Sequence, residues 1–208
     1  MPTERIISED DLKKLIRVIQ PNQRWKIMIP ILLLTGLRIG ELIGLYWSDI
    51  DFENSIININ RAVSMGYAEK DGVIIKLGSV ISKTKSEDSV RELPVSTYVM
   101  KYFNEWKEKM KNNSEWLRKI KQKGNEKLVF PNYYGNMINY STLYTELKEF
   151  LETHNLEHCG IVFHKLRHCY ATHLVDCGID INVVSKLLGH KNITTTANTY
   201  VKSIYSLR

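Results

Sequence analysis

Cysteine is scarce in this 208-residue chain: Cys159, Cys169 and Cys177 are odd in number, and none stands in the Cys-x-x-Cys spacing of a zinc or dithiol site. That argues against a disulfide framework, and the three are expected to be reduced thiols in a cytoplasmic protein, with Cys169 and Cys177 buried. Long apolar runs are also missing. The most hydrophobic stretch, Ile27 to Leu37, is broken by Pro30 and Gly36 and followed by Arg38, so it is too short to span a bilayer and belongs in a core. Met1 to Asp11 is polar and acidic, unlike the basic-then-apolar opening of an export signal. There are no internal repeats, low-complexity tracts or interdomain linkers. No carboxylate cluster suggests a two-metal site, and His164 with His168 lacks the His-Glu-x-x-His arrangement of a zinc protease. Neither a metal nor another cofactor is expected.

What is present is the balance of a globular domain, with 43% hydrophobic and 25% charged residues. The length suits one substantial domain with its own core. Lys and Arg number 29 against 23 Asp and Glu, a net charge of +6, and the pI is near 9.1. That excess favours a polyanionic partner, nucleic acid first, although solvated lysines alone can produce it.

Ser8-x-x-Asp11 has the form of a helix cap, and Leu12, Leu15, Ile16 and Ile19 then recur at helical spacing up to Pro21. Trp25 to Leu34 predicts a buried helix, and Gly36 a break before a second helical stretch with Leu37, Leu42 and Leu45, in which Arg38 and Glu41 also lie. After Asp51 the texture changes. Ile56 to Ile59, Val73 to Leu77, Val80 to Ser82 and Val90 to Val95 are short β-prone runs, predicting a small antiparallel sheet. From Ser96 helices dominate. Val95, Val99, Tyr102, Trp106 and Met110 share a face, Lys119 to Lys127 predicts an exposed turn, and Ser141–Leu151, Phe163–Asp176 and Ile181–Leu188 predict helices. The class is mainly α with a small antiparallel β-sheet (α+β).

Chemistry concentrates in a few scattered positions. Thr35-Gly36-Leu37-Arg38-Ile39-Gly40-Glu41 sets an Arg among apolar neighbours with a Glu three residues on. This is either an ordinary helical ion pair or a Glu that orients a guanidinium toward an anion, since its planar fork suits two phosphate oxygens. His164-x-x-Arg167 puts an imidazole and a guanidinium on one helix face, where both can meet one phosphate. Leu187-Leu188-Gly189-His190 ends a helix, with Gly189 as the left-handed stop and His190 just beyond it. Tyr200 follows ten residues later. Taken singly, each has a bland reading: a chance pair, an exposed loop histidine, a packed tyrosine.

As an ordered set, they resemble the tyrosine recombinase or phage integrase family. That family is marked by a T-G-x-R-x-x-E box, a lysine in a β-hairpin, an H-x-x-R box, a later G-H and then a Tyr. Here these are Arg38 with Glu41, a lysine of Lys83-Thr84-Lys85, His164 with Arg167, Gly189-His190, and Tyr200. The resemblance runs from Ile7 to Tyr200. It implies the recombinase catalytic-domain fold over residues 1–208, with the family's separate N-terminal DNA-clamping domain absent.

The implied activity is site-specific cutting and rejoining of double-stranded DNA through a 3′-phosphotyrosine. Tyr200 is the nucleophile, and Arg38 and Arg167 hold the phosphate oxygens as negative charge gathers on them. His164 takes the phenolic proton, His190 donates to a phosphate oxygen, and Glu41 supports Arg38. A hairpin lysine, Lys83 or Lys85 with Lys83 preferred, protonates the departing 5′ oxygen. His168 is structural support. Exchange between two duplexes implies a tetramer on DNA, whereas this domain alone could be monomeric. Integration or excision of a mobile element such as a phage, and chromosome-dimer resolution, both remain open, as do an inactive DNA-binding module of the same fold and a strand-relaxing topoisomerase of type IB.

Overall fold

The computed structural model describes residues 7–22, 24–70, 73–83 and 90–189. Helix α1, Glu9–Val18, starts where expected: the Ser8 hydroxyl accepts from the Asp11 N–H at 3.1 Å. Glu9, Asp10 and Asp11 set negative charge against the positive helix end. Helix α2, Trp25–Thr35, is the central rod, with Trp25, Ile27, Met28, Ile29, Ile31 and Leu32 all buried. It continues through Pro30. A proline inside a helix removes a ladder hydrogen bond at a cost of about 3 kcal/mol, and burial of nearly every neighbouring side chain outweighs that.

Gly36 ends α2 in the left-handed conformation, φ 63° and ψ 17°. The following helix, α3, is shorter than predicted and covers only Ile39–Ile43, so Leu37 and Leu45 are buried outside it and Arg38 is its N-cap. A 3-10 turn over Trp47–Asp49 leads into strand β1, Ile50–Asp51, and β2, Ile56–Ile59. These join β5, Arg91–Pro94, in an antiparallel sheet of order β1-β2-β5. Ile57 stands opposite Leu93 and Ile59 opposite Arg91. Ile57, Ile59 and Leu93 are buried, and strand alternation puts Arg91 on their face.

The β-prone runs form two sheets rather than one. Strand β3, Arg61–Lys70, pairs with β4, Val73–Lys83, as a separate two-stranded hairpin. Strand β3 carries no clear sequence signal, because Ala62 to Ala68 has neither clean alternation nor a β-branched run, and Gly78 divides the β4 pattern into two runs. The ladder absorbs that glycine, φ 85°, beside a register shift at Gly66/Tyr67. The hairpin is anchored to the helical body where the Tyr140 N–H donates to Ser79 Oγ at 2.6 Å. The guanidinium of Arg61 pairs with Asp49 at the hairpin's base.

Helix α4, Thr97–Asn112, buries Val99, Met100, Phe103, Trp106 and Met110. Helix α5, Ser114–Gln122, takes the first four residues of the stretch predicted as an exposed turn; Asn113 caps it, accepting from Trp116 N–H, and the turn itself covers residues 123–127. Its lysines mislead because they form its wet face, while Trp116 and Ile120 are buried. Trp106 joins Trp116 edge-on at 5.5 Å, and their indole N–H groups donate to the carbonyls of Val129 and Asn132. Helices α6, Tyr140–Thr153, α7, Phe163–Asp176, and α8, Ile181–Leu188, complete the described residues. The α7 and α8 limits are those the sequence predicts.

α2 packs against both α4 and α7. α8 leans on α7 through a small cluster of its own, Ala171, Val184 and Leu188, flanked by Tyr170 and Leu174. Arg24 of the α1–α2 connection reaches Glu146 on α6 in an ion pair. The thiol expectation needs correction: Cys177 is exposed and Cys159 and Cys169 are half-buried. Cys177 follows the last turn of α7, where the chain turns toward solvent. Among the described residues no helix is long and apolar enough to cross a membrane.

Candidate active site

The left-handed turn at Gly36 delivers Arg38 to the start of α3, where its own N–H donates to Glu41 Oε2 at 2.9 Å. Its Nη1 donates to Glu41 Oε1 at 2.8 Å. Glu41 therefore satisfies both the backbone and the side chain of the residue that opens its helix, a reach-back of the capping-box kind. The ion pair is at helical spacing, and the carboxylate fixes the direction of the guanidinium. The Arg38 side chain is 43% exposed and that of Glu41 only 2%, so the carboxylate is the inner wall and the guanidinium the face turned outward.

A second arginine, which the sequence reading did not identify, completes the pairing. Arg91 at the start of β5 donates from Nη2 to Glu41 Oε2 at 3.0 Å and from Nη1 to Oε1 at 3.2 Å. It also donates from Nε to the Leu187 carbonyl at 2.7 Å. Its signal in the sequence was faint but real: in the alternating run Val90 to Val95 it falls on the face of Leu93, where a charge needs a buried partner.

Arg167 of the His-x-x-Arg box is buried as well. Its Nη1 donates to the Gly36 carbonyl at 2.8 Å and its Nη2 to the Leu188 carbonyl at 2.6 Å, with Nη1 4.0 Å from Glu41 Oε2. One guanidinium thus ties the end of α2 to the end of α8 from its seat on α7. Arg38 reaches the same place, with Nη2 donating to the Gly189 carbonyl at 3.3 Å.

Three guanidinium groups meet one carboxylate, leaving a formal excess of two positive charges. Burial alone would raise the pKa of Glu41, but Arg91 foremost, then Arg38 and Arg167, hold it below the usual carboxylate range. The carboxylate remains charged, and the arginines remain in place around it.

His164, in the first turn of α7, is exposed, and its ring stands edge-on to His168 one turn later, with centroids 4.3 Å apart. The structure thus separates the box by depth: Arg167 is inside and His164 at the surface. Gly189 is the left-handed stop, φ 66° and ψ 48°. The backbone of Lys83 closes β4 opposite Arg61. Lys85, His190 and Tyr200 lie outside the described residues.

Among the described residues, Asp11, His158 and Cys159 bring three possible metal ligands within 4.8 Å of one another. They share no residue with the arginine cluster, and Lys14, 3.7 Å from Asp11, opposes a cation there.

The cluster is suited to holding a tetrahedral oxyanion, since fixed guanidinium groups with surplus positive charge stabilise developing negative charge with little reorganisation. The chain is similar to proteins named tyrosine recombinases. It is 32% identical over 202 residues to a tyrosine recombinase XerC-like protein of Caldanaerobacter subterraneus, covering 95% of this chain and 50% of that one. It is 28% identical to the tyrosine recombinase XerA of Pyrococcus horikoshii, covering 91% and 54%. The chain spans about half the length of these curated relatives.

Among solved structures, the Tn1549 transposon integrase in complex with transposon right end DNA matches with a TM-score of 0.74 at 24% identity, over 96% of this chain and 62% of that one. A XerA recombinase matches at 0.71 and 21%, over 100% and 65%. At these identities the structural likeness establishes the fold. The phage integrase family model matches residues 5–206. With that match spanning nearly the whole sequence, and with Arg38, Glu41 and Arg167 gathered at one place in the corresponding fold, the chain belongs to the phage integrase family.

Proposed function

We propose that this chain is the catalytic domain of a tyrosine-type site-specific recombinase, acting on double-stranded DNA in the cytoplasm, in the integration or excision of a mobile element. The observation that carries this is the convergence of Arg38 and Arg167, from boxes well apart in sequence, on the end of α8 immediately before His190.

In this reading the phosphate sits against Arg38 and the α8 turn. Tyr200 Oη attacks the phosphorus, passing its proton to His164, and the bond to the 5′ oxygen breaks as that oxygen takes a proton from Lys83. His190 donates to a nonbridging oxygen. A phenol has a reference pKa of about 10, and the surplus positive charge beside it favours the phenolate. The phosphotyrosyl bond conserves the energy of the phosphodiester, so attack by another 5′ hydroxyl rejoins DNA without ATP. Exchange between two duplexes takes four such sites, hence a tetramer on DNA.

The test is incubation with a nicked suicide duplex of the candidate attachment site, followed by denaturing electrophoresis. Wild type gives a covalent adduct; Tyr200→Phe binds the duplex nearly normally and gives none. An adduct in that variant would move the nucleophile elsewhere. In the same assay Lys83→Ala cleaves slowly, and recovers when sulfur replaces the bridging 5′ oxygen, because a thiolate leaves without an acid. Recovery in Lys85→Ala instead would transfer that role to Lys85.

A further inference from the structure

The last carbonyls of a helix have no partner within it, and that end carries partial negative charge. At α8 three successive carbonyls are met by three different arginines. Leu187 accepts from Arg91 at 2.7 Å, Leu188 from Arg167 at 2.6 Å, and Gly189 from Arg38 at 3.3 Å. These arginines come from β5, α7 and the start of α3, so the end of α8 is the point where three separate elements are joined.

The three are not equivalent. Arg38 is the most exposed, and its bond to α8 is the longest, which suits a group that turns to an incoming phosphate. The Arg91 side chain is only 8% exposed. Its two terminal nitrogens face the two oxygens of Glu41 while its Nε faces the other way, to Leu187. That is the geometry of a clamp between the Arg38–Glu41 box and the end of α8. Gly189 sits directly against it: a Cβ at that position would lie 2.7 Å from Arg91 Nη1.

We infer that Arg91 is a positioning residue for the reaction: it leaves the DNA untouched and fixes the Gly189 turn relative to Arg38, thereby setting where His190 leaves the helix. The inference rests on the recombinase reading for its catalytic consequence, and on the hydrogen bonds alone for its structural one. Arg91 also opens β5, eight residues after Lys83.

A residue needed only to neutralise Glu41 could be replaced by any cation. Arg91→Lys keeps the charge but offers one donor centre on a flexible stem, which cannot span the carboxylate and the Leu187 carbonyl together. Two measurements on the whole chain decide the matter. The first is amide hydrogen exchange. The Gly189 N–H, bonded to the carbonyls of Lys186 and Ser185, exchanges about tenfold faster in Arg91→Lys, while the amides of α2 exchange as in wild type.

The second is single-turnover cleavage of the suicide duplex, with rate and adduct yield recorded separately. The rate at saturating protein falls about ten- to a hundredfold, as expected for a small misplacement of catalytic groups. The half-saturating DNA concentration changes less than about twofold, because phosphate contacts are unaltered. Wild-type exchange and rate in Arg91→Lys would reduce Arg91 to a counter-charge and overturn the proposal. So would a fall in adduct yield at unchanged rate with α2 exchanging as fast as Gly189, which is the pattern of simple unfolding. If wild type itself gives no adduct, it is the recombinase reading that fails, and the exchange measurement still decides whether Arg91 holds the turn.

Discussion

Glu41 is the residue on which the site depends most. A carboxylate this deeply buried is tolerated only because guanidinium groups surround it, and removing one member of a buried pair typically costs about 3–5 kcal/mol. Glu41→Gln is therefore expected to lose roughly 3 kcal/mol at neutral pH by urea denaturation. The pH dependence follows from the direction of the shift. Because the folded pKa lies below the usual 4.5, the unfolded chain binds the proton first as pH falls. The stabilisation is complete above the unfolded value and is lost as pH drops through the folded one. The gap between wild type and Glu41→Gln should accordingly be constant from neutral pH down to about pH 5 and close below it. A gap that stays constant down to pH 3 would mean that Glu41 acts by shape alone.

Among the elements, the ends of α2 and α8 and the middle of α7 meet at Gly36. Its φ is 63°, and a Cβ added there would lie 2.3 Å from Tyr170 Cδ1 and 2.9 Å from Leu188 Cδ2. Its carbonyl is also the acceptor for Arg167. Gly36→Ala thus combines left-handed strain, of order 1–3 kcal/mol, with displacement of the two helices that carry Arg167 and Gly189. Calorimetry should show the melting temperature lowered by roughly 3–10 °C. Adduct formation at a temperature where the variant is fully folded should fall more than tenfold, on the order expected for misplaced catalytic groups. Unchanged melting would show that α7 and α8 give way freely and that the junction is soft. The satellite cluster of Ala171, Val184 and Leu188 makes that outcome unexpected, because it packs α8 on α7 with no exposed surface among the three.

For the whole molecule, the relevant quantity is the charge of +6 rather than any one contact. If the partner is DNA, most of the affinity is counterion release, and the logarithm of the binding constant falls linearly with that of salt concentration. For a domain of this size contacting about three to five phosphates, affinity should weaken by about 40- to 500-fold between about 50 and 200 mM salt. Fluorescence anisotropy with a labelled duplex measures the slope. Tight binding insensitive to salt would point to an interface built on apolar contacts and would contradict the phosphate-led picture. The fold gives this charge a frame: Lys109 and Lys111 lie near the end of α4 and Lys119 and Lys121 near that of α5, complementing the negative ends of their own helices.

What the sequence determined by itself is whatever is written in a short stretch of chain. Ser8 started α1, Gly36 and Gly189 stopped α2 and α8, and the apolar period bounded α7 and α8, because caps and helical periodicity act within a turn or two. The ordered boxes around Arg38, Lys83, His164 with Arg167, His190 and Tyr200 were legible for the same reason, and for the roles of Lys83, His190 and Tyr200 they are still the whole basis. The tertiary structure decided the rest. It made Arg38 a helix cap instead of an interior residue, drew β3 out of a segment without alternation, and set Arg91 beside Glu41 and Leu187, 50 and 96 residues away along the chain. No local pattern encodes such a meeting. It exists because Leu93 and Ile59 bury one face of β5 and β2 and carry the guanidinium inward with them, to where Glu41 and the open end of α8 can receive it.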